Sequence, residues 1–158
     1  MSEITIAIMM GSKSDMPVME LTGAILKDFG VSYEMKVLSA HRTPRETVDY
    51  TEGLKARGVK AVICAAGMSA ALPGVVAAHT TLPVIGVPLN ASDLNGMDAL
   101  LSIAQMPPGV PVGCVAVGKA GAKNAAFLAL RILAVSDAGI EKKLIDYRES
   151  EKKKILEG

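Results

Sequence analysis

Short apolar runs alternate along this chain with longer stretches whose apolar residues recur at helical spacing, and glycine, serine or proline marks the boundaries. Ile4 to Met10 is apolar and rich in β-branched residues, the pattern of a strand covered on both faces, and Gly11 ends it. A helix is predicted from Met16 to Phe29, capped by Ser14 or Asp15 and closed by Gly30. Tyr33 to Leu38 reads as a second strand. Pro44 suits the first turn of a helix that runs to about Arg57, with Gly58 behind it. Ala61 to Ala65 is a third strand, followed by a loop from Gly67 to Gly74 and a short helix reaching Ala78. Pro83 to Val87 and Pro111 to Val117 supply the fourth and fifth strands, separated by a helix from Gly96 to Gln105. Lys119 to Val135 carries Ala, Leu and Ile on most faces and is expected to be a buried helix.

Strand and helix alternate five times, which predicts an α/β fold: a parallel sheet with helices on both faces. With 158 residues and no repeat, linker or low-complexity segment, the chain is expected to form one domain over 1–158. The tail from Asp137 to Gly158 reads as a solvated C-terminal helix. Ile140, Leu144, Tyr147 and Ile155 form its docking stripe, which could meet its own core or a neighbouring subunit.

Composition then narrows the function. Aromatics are 3% of the chain, so the core must be aliphatic and methionine-rich. A net charge of +1 and the lack of stacking rings argue against nucleic-acid binding. With half of its residues hydrophobic, the chain is expected to cover some outer faces with further subunits. No signal-like segment precedes Ile4 and no uninterrupted apolar stretch is long enough to span a membrane, so a cytoplasmic location is expected. Cys64 and Cys114 lie in apolar runs and read as buried free thiols.

Three polar segments follow three strands directly, and in an open parallel sheet such ends line one crevice. Gly11 permits a tight exit, and Ser12 and Ser14 add hydroxyls to the free N–H groups of a helix start, a setting for phosphate. An ordinary strand–helix turn explains the same residues, since neither Walker A nor the dinucleotide fingerprint is present. Asp15 would suit sugar hydroxyls, because a carboxylate accepts two hydrogen bonds at once. In the second segment His41 can give and take a proton near neutral pH, Arg42 offers a planar fork for an anion, and Ser39 can orient either. In the third, Gly67 and Ser69 would let main-chain N–H groups face a carboxylate or carbon dioxide, though close packing explains its small residues equally well. His79, with no acidic or cysteine residue at ligand spacing, reads as structural. No metal cluster is visible. Gln105 to Gly109 looks like a rigid turn that could wall the site, and Asn124 is either a packing or a ligand-binding amide.

These segments together resemble the PurE family of purine biosynthesis over nearly the whole chain. The matching stretches are Met10-Gly-Ser-Lys-Ser-Asp15, Ser39-Ala-His-Arg-Thr-Pro44, Leu72-Pro-Gly74, Leu82 to Pro88, Leu101 to Pro107 and Gly118 to Ala126. The resemblance implies a flavodoxin-like three-layer subunit assembled into a homo-octamer, with sites where subunits meet. It also implies a ribonucleotide substrate and no cofactor or metal, with Ser12 and Arg42 on the phosphate, Asp15 on the ribose and His41 as acid–base group. One branch of the family moves a carboxyl group from the exocyclic nitrogen of 5-(carboxyamino)imidazole ribonucleotide to ring carbon 4. The other carboxylates aminoimidazole ribonucleotide with carbon dioxide. Ala71 stands where the mutase branch usually has histidine, and Met68-Ser69-Ala70-Ala71 looks closer to the direct carboxylases. Arg42-Thr43-Pro44, Pro73-Gly74 and Gln105-Met106-Pro107 look like the mutase branch. The expected activity is therefore the mutase. A flavin or nucleotide-binding electron carrier on the same fold is disfavoured by the lack of aromatics to stack on an isoalloxazine ring. A receiver domain is ruled out because the third strand ends in Ala65-Ala66 instead of a phosphorylatable aspartate.

Overall fold

Apolar side chains that alternate in direction supply the two sides of the sheet. The structure, a computed structural model, describes residues 4–158. Strand β1 spans Ile6–Met10, β2 Tyr33–Val37, β3 Ala61–Gly67, β4 Val84–Leu89 and β5 Gly113–Cys114. All four pairings are parallel, in the order β2-β1-β3-β4-β5. This is the flavodoxin-like doubly wound order, with its switch point between β1 and β3. Helices α1 (Met16–Asp28), α2 (Pro44–Gly53), α3 (Leu72–Ala78), α4 (Met97–Ala104), α5 (Lys119–Ala134) and α6 (Ala138–Glu157) complete the fold.

Successive strand residues face opposite sides of a sheet. Ile6, Ile8 and Met10 pack with Ile63, Ala65, Ile85 and Val87 beneath α1 and α5. Ala7 and Met9 pack with Val62, Cys64 and Ala66 on the other face, against Leu72, Val76, Ala99 and Ile103 from α3 and α4. The layers are tied by polar contacts as well: the buried Thr22 hydroxyl of α1 donates to the Ala122 carbonyl of α5 at 2.7 Å.

Three expectations need correction. The fifth strand is two residues long, not seven, and Pro88 explains why. Its carbonyl faces the β5 side, where it accepts Gly118 N–H at 2.8 Å, so its nitrogen faces that side too and has no hydrogen to extend the ladder. The long helix α5 is buried only along Gly121, Ala122, Ala125, Ala126, Ala129, Leu130 and Leu133, while Lys123, Asn124, Leu128 and Arg131 are exposed. Cys64 is fully buried, but Cys114 is only half-buried, because the short edge strand leaves it partly open.

The C-terminal helix docks its own chain over its first half. Asp137 caps it by accepting from Gly139 N–H and Ile140 N–H at 2.9 and 3.0 Å. Ile140 is buried, and Leu144 packs on the same core. Tyr147 meets Phe127 with ring centroids 4.8 Å apart. Ile155, the last residue of the predicted stripe, is exposed.

Gly86, in the middle of β4, lets a helix approach closely. A β-carbon there would meet Ile103 Cγ2 and lie 3.0 Å from Val112 Cγ1 and 3.4 Å from Pro73 Cβ. Overpacking of this kind costs about 1–3 kcal/mol, so Gly86→Ala is expected to lower the unfolding free energy by that amount and with it the urea midpoint. An unchanged midpoint would show that α4 yields freely.

Candidate functional site at the carboxyl ends of the strands

Met10 lies level with Val37 of β2 and Ala65 of β3, so β1 and β2 end side by side and β3 runs on to Gly67. Leu38 N–H donates to the Met10 carbonyl at 2.9 Å and Gly11 N–H to the Ala65 carbonyl at 3.3 Å, which holds the exits together. The loops that follow enclose a cleft of about 580 Å³. All eight residues singled out in the sequence line it: Ser12, Ser14, Asp15, Ser39, His41, Arg42, Gly67 and Ser69.

The first loop is built around Ser12, which caps a 3₁₀ turn, while Asp15 stands at the expected N-cap position of α1 but makes no side-chain cap bond to it. The Ser12 hydroxyl accepts from Ser14 N–H at 3.3 Å and from the Ser14 hydroxyl at 2.9 Å. Asp15 closes a reciprocal capping box, its Oδ2 accepting Ser12 N–H at 3.0 Å. A 3₁₀ turn over Lys13–Asp15 therefore precedes α1. Asp15 is only 8% exposed. Burial raises its pKa above the ordinary carboxylate range, and the hydrogen bond from Ser12 offsets part of that.

The second loop is held by Thr43, which the sequence analysis did not single out. Its hydroxyl accepts from Ser39 N–H at 2.9 Å and donates to the Ser39 carbonyl at 3.1 Å. The Ser39 hydroxyl in turn accepts Arg42 N–H at 3.2 Å. Arg42 reaches across to the first loop, with one guanidinium nitrogen 3.5 Å from the Gly11 carbonyl. His41 is exposed and makes no hydrogen bond to any other described residue, so its ring is available to a ligand.

The third loop turns sharply at Met68, a non-glycine residue at φ 55°. Gly67 is required by crowding: a β-carbon on it would lie 2.5 Å from Ala91 Cβ, on the segment that follows β4. Ala71 and Ala91 also line the cleft. Neither Gln105 to Gly109 nor Asn124 lines it; Met106 instead sits behind α3, with its sulfur 3.2 Å from where a β-carbon on Gly74 would be. His79 does find a carboxylate, Glu52 Oε1 of α2 at 3.2 Å, a pairing between helices that spacing along the chain does not show. A larger cleft of about 750 Å³ lies at the opposite end of the sheet, around Thr5, Ser32 and Lys60, but it holds no histidine. Among the described residues, no group of three or more His, Cys, Asp or Glu could hold a metal ion, and no helix is long and apolar enough to cross a membrane.

A family model described as AIR carboxylase matches residues 5–154. The chain belongs to the AIR carboxylase family. Among its relatives are proteins named N5-carboxyaminoimidazole ribonucleotide mutase. The one from Vibrio parahaemolyticus is 51% identical over 151 residues, covering 96% of this chain and 94% of the relative. The one from Pyrococcus abyssi is 53% identical over 148 residues, covering 94% and 84%. The crystal structure of Treponema denticola PurE superposes with a TM-score of 0.88 at 34% identity, covering 97% of this chain and 94% of the other. The family resemblance and the flavodoxin-like fold read from the sequence are both borne out. Within this AIR carboxylase fold the phosphate-type loop, the His-Arg loop and the small-residue loop share one cleft.

The Asp15 shift sets the sign of a stability effect. Because burial raises the folded pKa, the carboxyl binds its proton more tightly folded than unfolded. Its stabilising contribution is complete below the unfolded pKa and is lost as pH rises through the folded one. Asp15→Asn is therefore expected to melt no lower than the parent at pH 7, with any gain shrinking toward pH 3.8, the unperturbed value. Asp15→Ala, which also removes the cap, should cost about 1 kcal/mol. A lower melting temperature for the asparagine variant at pH 7 would show that the charge stabilises the fold.

Proposed function

We propose that this chain is an N5-carboxyaminoimidazole ribonucleotide mutase of purine biosynthesis. The observation that carries the reading is the convergence of Ser12, Asp15, His41 and Arg42 in one cleft, in a chain about half identical to relatives of that name. The 1–158 chain acts as one unit, in the cytoplasm and as a homo-octamer. The exposed Met97, Leu101, Ile155 and Leu156 are surfaces that further copies would cover.

Each role follows from the chemistry of the group. The Ser12 and Ser14 hydroxyls and the Arg42 guanidinium hold the phosphate, since neutral donors and a planar cation suit it. Asp15 accepts the ribose hydroxyls. A buried carboxylate disfavours its own charge until donors arrive, so a sugar diol supplies what desolvation took away. Ser39 braces Arg42 through the backbone.

His41 moves the proton. Protonation of the carbamate nitrogen breaks its bond to the carboxyl carbon and releases carbon dioxide beside the ring. The electron pair of ring carbon 4, pushed by the neighbouring amine, then forms a bond to that carbon. His41 takes the proton displaced from carbon 4, the ring regains aromaticity and the imidazole is ready for another cycle. One proton leaves the base and one returns. Gly67 and Ser69 hold the intermediate, so its recapture stays effectively unimolecular. Ala71 leaves no second imidazole for this task, and direct carboxylation of aminoimidazole ribonucleotide is the competing activity.

Offering the enzyme the carbamate ribonucleotide, or aminoimidazole ribonucleotide with bicarbonate, separates the two. Fast turnover of the carbamate alone is expected; fast turnover only with bicarbonate would overturn the mutase reading. His41→Asn should lower kcat by about 10²–10⁴-fold, the usual worth of a positioned acid–base group, with nucleotide affinity largely kept. Arg42→Ala should instead raise KM about 10-fold or more, in line with about 1.5–3 kcal/mol for a hydrogen bond to a charged group. Unchanged affinity in that variant would place the phosphate elsewhere.

A further inference from the structure

The cleft is rich in hydroxyls and charge but poor in anything that could cover an apolar ring. Apart from the His41 imidazole, none of the residues this chain supplies to its lining is aromatic. Ala40, Ala66, Ala71 and Ala91 are too short to reach over a ligand. Leu72 is 2% exposed, its side chain already packed in the core below α3. Met68 alone is long, apolar and free, being 60% exposed at the cleft.

Its backbone makes that placement more telling. Met68 sits at φ 55°, a region that costs an L-residue with a β-carbon about 1–2 kcal/mol. Both sides of the turn are fixed, so the side chain cannot simply rotate back into the strand direction. Gly67 is wedged against Ala91, Ala70 is 2% exposed, and Ala71 N–H donates to the Ser69 carbonyl at 2.8 Å. Strain held by its surroundings at a functional site is a positioning device. An unbranched, polarisable thioether also makes favourable contacts with a flat ring.

We propose that Met68 is the cover of the active site: its side chain folds over one face of the substrate's imidazole ring and keeps water from the reacting carboxyl group. The assignment rests on the ribonucleotide reading of the cleft. It makes Met68 a positioning residue that governs whether the carboxyl group is transferred or lost, and leaves the proton transfers to His41.

Two measurements test it on the full-length protein. Met68→Gly suits the left-handed turn and removes the cover; Met68→Leu keeps an apolar side chain of similar size. With carboxyl-labelled carbamate ribonucleotide, the label lost to bulk bicarbonate per product formed should rise roughly tenfold in the glycine variant and stay near parental in the leucine variant. Equal loss in all three proteins would overturn the proposal. The glycine variant should melt no lower than the parent, which separates loss of cover from unfolding.

The second readout needs no turnover. Peroxide converts exposed methionine to its sulfoxide, and site-resolved mass spectrometry follows each one. Met9, Met10 and Met19, fully buried and outside the cleft, are the internal controls. Saturating product ribonucleotide should slow oxidation of Met68 several-fold and leave the buried methionines unchanged, while ribose 5-phosphate, which lacks the imidazole ring, should not protect Met68. Product that binds, by calorimetry, without protecting Met68 would overturn the cover alone. Product that does not bind at all would overturn the ribonucleotide reading of the cleft together with the cover.

Discussion

Register between parallel strands is what assembles this site. Met10 is level with Val37 and Ala65, and the two hydrogen bonds beyond those positions, Leu38 to Met10 and Gly11 to Ala65, keep the three exits in line. Side chains alternate along a strand, so slipping one strand by a residue would invert its two faces. Both faces here are buried, one beneath α1 and α5 and the other beneath α3 and α4, so such a slip would turn every strand residue toward the wrong layer. The core thus specifies the position of Ser12, His41 and Gly67 relative to one another, although none of them belongs to it.

The loops then distribute their polar groups in two ways. Some satisfy the chain itself: Ser12 and Asp15 close a reciprocal cap, and Thr43 ties the second loop to Ser39. Others are left free to meet a ligand in the cleft. His41 has no partner among the described residues, and Asp15, though bonded to Ser12, has been carried far enough from water that ionisation costs it. A rigid frame around groups with unmet hydrogen-bonding capacity is how a site spends little on reorganisation when a ligand arrives.

The third loop shows a different economy. A histidine in place of Ala71 would bring a second titratable ring to the cleft; this chain has alanines there, together with a single long side chain at Met68. The turn closes tightly because Gly67 leaves room for Ala91. With aromatics at 3% of the chain and, the His41 imidazole apart, none along the cleft, apolar contact with a ligand has to come from aliphatic and thioether groups.

Much of this was legible in the linear order of residues. Alternation of apolar runs with helical spacing specified five strands and the helices between them, and the Gly11-Ser12, Ser39 to Arg42 and Gly67 to Ser69 segments each stood at or just beyond the end of a strand. That suffices for the fold class and for gathering the three polar segments at one cleft, because strand ends in a parallel sheet share an edge whatever the details of packing. Contacts between segments distant in sequence were not legible. Pro88 cutting β5 short, the 3₁₀ turn that Ser12 caps ahead of α1, Glu52 finding His79, Ala91 crowding Gly67 and the left-handed turn that exposes Met68 all arise only in the folded chain. Pattern along a chain records which face each residue must bury; which atoms then meet is decided by how the buried faces close on one another.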